Sequence, residues 1–513
     1  MEAAHQTILR RLIISSGFRA FSLVLSLGIG FFMTPFVIGV LGKEDNGLFV
    51  LVGSVVGSLA LLEMGLNTAV SRNIAVSIGT KDNKALNEFY NSGFFLFSGI
   101  GVLCFLVSIV IACGATTFFP DLEKVSIFSI MVIVVGAQFA INLPLRAFNG
   151  LLTGSMRQDL SSLITLSFKL IGTAATVVVL LLGGRLIALV FAGLTVTIFN
   201  AIVWYLVSKA TVPQAKINFR CVKRQTVGQL YGYSFYSFIT QISKLCQSRL
   251  SVFAITCFLG LGAVTVYDIA FTLVSYYGMV VMLTVNILSP VFATLVAQKK
   301  METVKKALRF SLKVTVIISV FVAFGMIAWG LPFLLRWMGE EFRGAYLPLV
   351  LLSIASLVEF SQAPAVEYLY GTAKHHYHSL TCTIEAVLLL VLCFPLTWAY
   401  GLVGTATSIL IAAVVVRCFI QPYYICKVVE ISHLDYLLTL GRPLLFSTLA
   451  LVPGSVFTYF FVESSYLQLV LVGAVSALSF FPIAIFCVFS REEREMVLQA
   501  MFKRTKKQDV NPV

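Results

Sequence analysis

Charge is scarce in this sequence. Lysine, arginine, aspartate and glutamate together make up only 12% of the 513 residues, about half the share found in ordinary globular domains. Hydrophobic residues make up 58%, and the mean hydropathy is +0.94. One water-soluble core cannot bury so many apolar side chains, and a disordered chain would carry far more charge. The composition therefore indicates a helical membrane protein.

Several patterns that carry chemistry are also missing. No G-x-x-x-x-G-K-[ST] loop occurs, so we do not expect ATP to be the direct energy source. The ten cysteines form no C-x-x-C pair and no metal-ligand spacing, and we expect neither a metal nor another cofactor. His375, His376 and His378 cluster in a connection, where a solvated basic segment is favoured over a metal site.

What the sequence does contain is long apolar runs. Near-continuous runs of 18 or more apolar residues predict membrane-spanning helices. Fourteen such spans are predicted, with approximate limits 13–41, 47–66, 89–115, 125–149, 160–182, 186–207, 229–259, 264–292, 308–331, 345–369, 379–399, 402–420, 443–461 and 466–489.

The positions of the basic residues indicate how the chain is oriented in the membrane. A net charge of +14 would suggest nucleic acid in a soluble protein, but here the cations lie in short connections between apolar runs. We therefore expect no nucleic-acid partner. Placing the N-terminus in the cytoplasm puts almost all connecting lysines and arginines on the cytoplasmic side. The sequence thus predicts that both termini are cytoplasmic.

The longest polar connection, residues 208–226, falls midway between the sixth and seventh spans. Two halves with equal span counts and the same orientation predict a parallel repeat. The expected fold class is an all-α polytopic membrane protein with two six-helix bundles and an appended helix pair. The predicted organisation is an N-lobe at 1–207, a cytoplasmic linker at 208–228, a C-lobe at 229–420, two further spans within 421–489 and a basic cytoplasmic tail at 490–513.

Four basic residues lie well inside predicted spans, away from the span ends, namely Arg19, Lys169, Lys244 and Arg249. Each costs about 2.5 to 3.5 kcal/mol at mid-membrane, so such residues usually face a cavity or a partner. In the seventh span a polar stripe at helical spacing surrounds Lys244. Its members are Tyr233, Ser237, Thr240, Gln241, Lys244, Gln247, Ser248 and Ser251.

These patterns predict a cleft for an anionic substrate. The candidate substrate-binding residues are Lys169, Lys244, Arg249, Arg19, Tyr233, Gln241 and Gln247. Simpler explanations stay open for some of them. Arg19 is close enough to the cytoplasmic end to snorkel to headgroups, and Arg249 has a candidate ion-pair partner in Asp268. Serine and threonine hydroxyls also bond back to helical carbonyls.

Asp268 and Glu359 are the deepest acids in the predicted spans. A buried carboxylate can carry a coupling proton or, with neighbouring carbonyls, a sodium ion. The alternative is that each acid is a structural partner of one of the cations.

Several short motifs follow one another in a recognisable order. They are 41–49 (LGKEDNGLF), 63–66 (EMGL), 69–72 (AVSR), 266–270 (VYDIA), Pro290, 371–374 (GTAK) and 400–404 (YGLVG). Together they resemble the bacterial polysaccharide transporter family, which includes the Wzx-type O-antigen flippases. Members commonly have aspartate where Glu63 stands, a mild departure.

This resemblance implies the fold of the multidrug/oligosaccharidyl-lipid/polysaccharide exporter superfamily, with two bundles in a V and alternating access. It also implies export of a polyprenyl-diphosphate-linked glycan, such as an O-antigen, capsule or exopolysaccharide unit, across the bacterial inner membrane. The resemblance also implies a central cationic cavity, which in this sequence would be lined by Lys169 and Lys244 and, less directly, by Arg19 and Arg249. Expected partners are that glycan, the bilayer, H+ or Na+ as coupling ion, and a polymerase and glycosyltransferases of the same pathway.

Three other functions compete with this one. A cation-coupled multidrug exporter on the same fold would need acids in its cavity, whereas this stripe is basic. A membrane-embedded glycosyltransferase or polymerase would need a large outer loop with catalytic residues, and the predicted outer loops are short. A scaffold without transport gives no reason for the polar stripes. We therefore expect a transporter rather than an enzyme.

Overall fold

The structure is a computed structural model that describes residues 24–63, 66–118, 124–155, 157–232, 235–286, 288–372, 374, 376–451 and 465–495. Within these ranges the chain is built of helices joined by short turns, with no strand. The predicted all-α class is therefore confirmed. Such a fold is expected in lipid, because a helix satisfies its own backbone hydrogen bonds.

The main helices of the first part of the chain are α1 Val24–Leu41, α2 Lys43–Ser58, α3 Leu66–Gly79, α4 Asn83–Cys113, α5 Val125–Gly154, α6 Gln158–Leu181, α7 Leu186–Thr211, α8 Arg224–Gly232 and α9 Phe235–Leu259. Those that follow are α10 Leu261–Val285, α11 Leu288–Ala297, α12 Met301–Ala328, α13 Gly330–Met338, α14 Tyr346–Phe360, α15 Ala363–Gly371, α16 His376–Val414, α17 Gln421–Val429, α18 His433–Ala450 and α19 Tyr466–Val488.

The described ranges contain 12 helices that are long and apolar enough to cross a membrane. One of these, His376–Val429, is 54 residues long and runs through the predicted spans 379–399 and 402–420. The two are separated at Gly401, whose φ of 60° lies in the left-handed region that favours glycine. The predicted span 443–461 falls partly outside the described residues. The predicted number of fourteen is therefore not confirmed.

The helices group into two compact units. The first contains the chain up to Asp268 together with Cys393–Gly401, and the second contains Ile269–Leu392 and the chain from Leu402 onward. In the first unit α4 and α5 pack closely through small residues. A Cβ added at Gly101 would meet the carbonyl oxygen of Ala140 at 2.7 Å. Small residues allow such close backbone approach in membrane helices.

The start of α10 packs tightly on α2 within the first unit. A Cβ added at Gly47 would lie 2.0 Å from the carbonyl oxygen of Leu261. Nearby, Asn46 Nδ2 donates to Thr265 Oγ1 at 3.2 Å, and this hydroxyl donates to the carbonyl of Lys43 at 2.6 Å. These contacts explain why the start of α10 lies with the first unit.

Two asparagines of α4 hold the segment that follows α7. Asn87 Nδ2 donates to the carbonyl of Gln214 at 3.0 Å, and Asn87 Oδ1 accepts from the backbone N–H of Lys216 at 3.0 Å. Asn91 repeats the pattern with the carbonyl of Lys216 at 2.9 Å and the backbone N–H of Asn218 at 2.7 Å. We call these four bonds the asparagine ladder.

Two further contacts extend this attachment. Lys223 forms an ion pair with Glu88 of α4, and the rings of Phe95 and Phe219 meet edge to face with centroids 5.0 Å apart. The polar connection 208–226 is therefore fastened to α4 over much of its length.

The second unit has its own apolar core, in which α11 lies directly on α15. A Cβ added at Gly371 would lie 2.6 Å from the carbonyl oxygen of Ser289. The rings of Phe292 and Tyr368 meet with centroids 5.6 Å apart, and both side chains are buried. The predicted lobes at 1–207 and 229–420 describe the repeat along the chain, and that repeat stays a prediction.

Candidate functional site

Lys244 lies at the surface of α9, in a recess of about 220 Å³. Gln241 and Leu245 line the recess from the same helix, and Ala60 and Leu61 line it from the turn after α2. Gln241 and Lys244 are one helical turn apart, so both face the same space. Among the described residues no acidic side chain forms an ion pair with Lys244. The recess therefore presents an uncompensated ammonium group beside an amide.

Lys169 is exposed on α6 and is not part of the recess at Lys244. Its polar neighbours on α6 are satisfied within the helix. Thr173 donates to the carbonyl of Lys169 at 2.8 Å, and Thr165 donates to the carbonyl of Ser161 at 2.8 Å. No described acid forms an ion pair with Lys169. The ammonium group is thus the distinctive feature of this helix face, since the hydroxyls bond back to their own backbone.

Gln247 lies one turn beyond Lys244 on α9. Its side-chain nitrogen is buried and has no hydrogen-bond partner among the described residues. An unsatisfied buried donor costs about 1 to 3 kcal/mol. Gln247 therefore carries an unused hydrogen-bond donor on the helix that bears Lys244.

Arg249 contacts α2. Its Nη1 donates to Ser54 Oγ at 3.2 Å, and its Nη2 would lie 3.2 Å from a Cβ added at Gly57. Asp268 of α10 acts electrostatically on the Arg249 guanidinium, but these two described side chains form no direct ion pair. The structure thus gives Arg249 a contact with α2 and only a longer-range attraction to Asp268.

Glu359 lies at the end of α14 in the second unit, with its Oε1 atom 3.8 Å from Arg417 Nη2. The same nitrogen lies 2.7 Å from Glu385 Oε2. The Glu385 side chain is only 6% exposed, whereas the Glu359 side chain is 44% exposed. Glu359 is therefore the outer of two carboxylates that share one buried arginine.

A buried polar network around Arg417 was not anticipated from the sequence, which places Arg417 among the cations of the connections. Arg417 belongs to a π-helical segment, Val415–Ile420, and donates to Gln421. Gln421 Nε2 donates to Gln362 Oε1 at 3.3 Å, and the Tyr436 hydroxyl donates to the same oxygen at 3.0 Å. The sequence signal for this network is an arginine followed four residues later by glutamine at the end of an apolar run.

Glu63 and Arg146 form a second ion pair that sequence reasoning did not identify. Glu63 ends the turn after α2 and is buried, and Arg146 lies on α5. The acid that departs from the family pattern is therefore the partner of an arginine in the same unit.

Arg19 and Tyr233, the other two candidates, lie outside the described residues. Within the part of the chain that the structure describes, no group of three or more histidine, cysteine, aspartate or glutamate side chains is arranged to hold a metal ion.

The architecture defines a class of protein: a multi-pass, all-helical membrane protein with cationic side chains in membrane-spanning helices. A sequence model of a family described as "Polysaccharide biosynthesis protein" matches residues 16–296, more than half of the chain. The chain belongs to this family. A search of curated protein sequences finds no match.

Solved structures share the fold. A structure described as "Lipid II flippase MurJ, inward closed conformation" aligns with a TM-score of 0.66 and 13% identity, covering 96% of this chain and 100% of that one. An inward-facing multidrug resistance MATE family transporter of the MOP superfamily aligns with a TM-score of 0.65 and 15% identity, covering 80% and 95%. A MOP superfamily transporter from Pyrococcus furiosus aligns with a TM-score of 0.57 and 15% identity, covering 83% and 96%. The chain thus shares the fold of these transporters, as the resemblance in its sequence implied.

Proposed function

We propose that this protein is a flippase for a polyprenyl-diphosphate-linked oligosaccharide. It moves an O-antigen, capsule or exopolysaccharide unit from the cytoplasmic to the outer leaflet of the bacterial inner membrane. Both termini lie in the cytoplasm in this proposal, as the distribution of basic residues favours. Membership of a polysaccharide biosynthesis family and the fold shared with a lipid II flippase support it.

The observation that carries the proposal is a pair of uncompensated cations. Arg417 and Arg146 each pair with an acid of the same unit. Lys244 and Lys169 lie within apolar helices without an ion pair to any described residue. Because a cation in the membrane is costly unless it is paired or solvated, these two lysines are suited to an anionic ligand that arrives from outside the protein.

The proposed ligand chemistry follows from these groups. The lysines hold the diphosphate or acidic sugars by charge-assisted hydrogen bonds, and Gln241 and Gln247 donate to sugar hydroxyls. Tyr233 and Arg19 are proposed to lie along the same path, and Arg249 to support it from its contact with α2. The lipid tail stays in the bilayer, and no covalent chemistry is required.

Movement is proposed to follow alternating access, in which the lobes 1–207 and 229–420 rock as rigid bodies. Asp268 and Glu359 are the proposed carriers of a coupling H+ or Na+. Glycosyltransferases and a polymerase of the same pathway supply and consume the glycan. Since the asparagine ladder and the Lys223–Glu88 ion pair fasten the connection to α4 as far as Lys223, the proposed bending point lies after that residue.

A cation-coupled multidrug exporter is the second candidate, because MATE transporters share the fold. The ammonium group in the recess argues against it, since a cationic drug would be repelled there.

Substitution of Lys244 tests the proposal. In a strain that lacks the chromosomal copy, Lys244→Ala should abolish surface glycan display while leaving the amount of membrane-inserted protein near that of the wild type. Lys244→Arg should retain part of the activity, and Lys244→Glu should be worse than alanine, because a carboxylate repels phosphate. The same order is expected at Lys169.

The matched control is Lys84→Ala, which removes the same charge from an exposed position near the start of α4. It should display glycan at the wild-type level. Normal display by both Lys244→Ala and Lys169→Ala would overturn the proposed role of these lysines. Full display accompanied by export of cationic dyes would favour the multidrug alternative.

A further inference from the structure

A cavity of about 300 Å³ lies at the end of the first unit where α7 finishes. It is enclosed by α4, α5, α7 and the segment that follows α7. The lining residues are Tyr90, Phe148, Leu151, Tyr205, Ser208, Lys209, Pro213, Ala215, Lys216 and Ile217. None of them is acidic, and the cavity shares no residue with the recess at Lys244.

One side of the cavity is polar. Ser208 is 1% exposed, and its buried hydroxyl has no hydrogen-bond partner in the part of the chain that the structure describes. A serine hydroxyl in a helix usually donates to a carbonyl of its own helix. The Ser208 hydroxyl makes no such bond with the described residues, so its donor is unused beside the cavity. Lys209 and Lys216 bring two positive charges to the same space. The polar side therefore matches an anion that also accepts a hydrogen bond.

Aromatic and apolar side chains make up the rest of the lining. The rings of Phe148 and Tyr205 lie 6.1 Å apart, and those of Tyr90 and Phe148 lie 6.3 Å apart, between centroids. Lys209 Nζ lies 5.7 Å from the Tyr205 ring centroid. Along α7, on the side of Tyr205 away from Lys209, Ile198 and Ile202 are exposed apolar side chains. An amphiphile would find an anion site at one end and an apolar track leading away from it.

The asparagine ladder makes this site preformed. Asn87 accepts from the backbone N–H of Lys216, and Asn91 donates to the carbonyl of the same residue. Both hydrogen-bonding groups of the Lys216 backbone are thereby fixed, and the segment 213–217 is held over the cavity. Binding then costs less ordering of the protein than a free loop would require.

We propose that this cavity binds the phosphate headgroup of an anionic phospholipid, whose acyl chains run along the exposed apolar face of α7. Basic pockets between membrane helices are suited to such headgroups, and each lysine near the membrane surface contributes to their attraction. In the orientation proposed above, the lipid belongs to the cytoplasmic leaflet. The site is separate from the proposed transport path.

Lipid titration of the purified full-length protein tests the proposal. The protein is held in phosphatidylcholine nanodiscs, and binding of short-chain phosphatidylglycerol is followed by native mass spectrometry. The double variant Lys209→Gln with Lys216→Gln should bind phosphatidylglycerol about 25-fold more weakly, from about fivefold for each lysine. The control variant Lys299→Gln with Lys300→Gln removes the same charge from the exposed turn before α12 and should bind as the wild type does.

Two further measurements distinguish a phospholipid from free phosphate as the ligand, and a loss of binding from a loss of stability. Inorganic phosphate should not displace phosphatidylglycerol, and Tyr205→Ala should weaken lipid binding without changing the thermal unfolding temperature in phosphatidylcholine. Equal losses in the two double variants, or unchanged binding in Lys209→Gln with Lys216→Gln, would overturn the site. Displacement of the lipid by inorganic phosphate would overturn its assignment to a phospholipid.

Discussion

Arg417 and Lys244 are both cations within apolar helices, but their surroundings are opposite. Arg417 is 2% exposed and is surrounded by Glu385, Glu359 and Gln421. Lys244 is exposed in its recess and forms no ion pair with an acid of the described residues. A buried charge is tolerated when the protein supplies its partners, whereas an unpaired one is retained where water or a ligand reaches it.

This difference separates two roles that the sequence alone does not separate. Each is a single basic residue, Lys244 in the middle of a long apolar run and Arg417 near the end of one. The number of protein partners assigns Arg417 to the framework of the second unit and leaves Lys244 available for a ligand. Removal of each charge should therefore change different measurable quantities.

The largest expected effect is loss of the Arg417 guanidinium. Arg417→Ala leaves the Glu385 carboxylate buried without its cation, which typically costs about 3 to 5 kcal/mol. We expect a large fall in the amount of folded protein, measured by thermal unfolding in detergent and by size-exclusion profiles. Lys244→Ala should leave both measurements near the wild-type values.

A double variant sharpens this prediction. Arg417→Met combined with Glu385→Met replaces the ion pair by apolar side chains, a change that is often close to neutral. It should be more stable than Arg417→Ala. Equal stability of Arg417→Ala and Lys244→Ala would show that the number of partners does not separate framework cations from ligand-binding ones.

A smaller effect is expected for Arg146, whose side chain is 36% exposed while that of its partner Glu63 is 5% exposed. Arg146→Ala should lower the free energy of unfolding by about 1 to 3 kcal/mol, because Glu63 stays buried without its partner. Adding Glu63→Gln to this variant should recover part of the lost free energy of unfolding. A stability unchanged by Arg146→Ala would place this arginine with Lys244 rather than with Arg417.

Arg249 lies between the two extremes, since the one hydrogen bond that its guanidinium makes with the described residues is to the Ser54 hydroxyl. Arg249→Ala should cost about 0.5 to 1.5 kcal/mol, the usual net value of one hydrogen bond. Thermal unfolding of Arg249→Ala and Ser54→Ala should show similar decreases. A loss of glycan display with no change in stability would instead assign Arg249 to the ligand.

The smallest effect is a pH dependence at Glu493, beyond the last described span. Burial raises the pKa of its carboxyl, but hydrogen bonds from Lys313 Nζ and the Ser490 backbone N–H outweigh this and hold the pKa below its ordinary value. Because the folded-state pKa is lowered, the stabilisation is present above the ordinary pKa and is lost as the pH falls through the folded value. We expect a loss of at most about 1 kcal/mol.

Thermal unfolding at a series of pH values between neutral and acidic conditions checks this. Glu493→Gln should remove that part of the acid sensitivity. A variant with the same acid sensitivity as the wild type would show that the ion pair with Lys313 does not contribute.

The fold was accessible from the sequence because the membrane imposes a simple rule: long apolar runs form helices. The proximity of Gln241 and Lys244 was accessible for a similar reason, since both lie on one helix at helical spacing. The Arg417 network was not accessible. Its partners are 32 residues away at Glu385 and 55 residues away at Gln362, and only the packing of the second unit brings them together.

The asparagine ladder matters for anyone who wishes to label this protein. A long polar connection between two halves is ordinarily the first choice for inserting a fluorescent reporter or an affinity tag, because exposed loops tolerate added residues. Here an insertion within 214–218 would separate backbone groups that Asn87 and Asn91 hold in register. Such an insertion is therefore expected to loosen the attachment of this connection to α4.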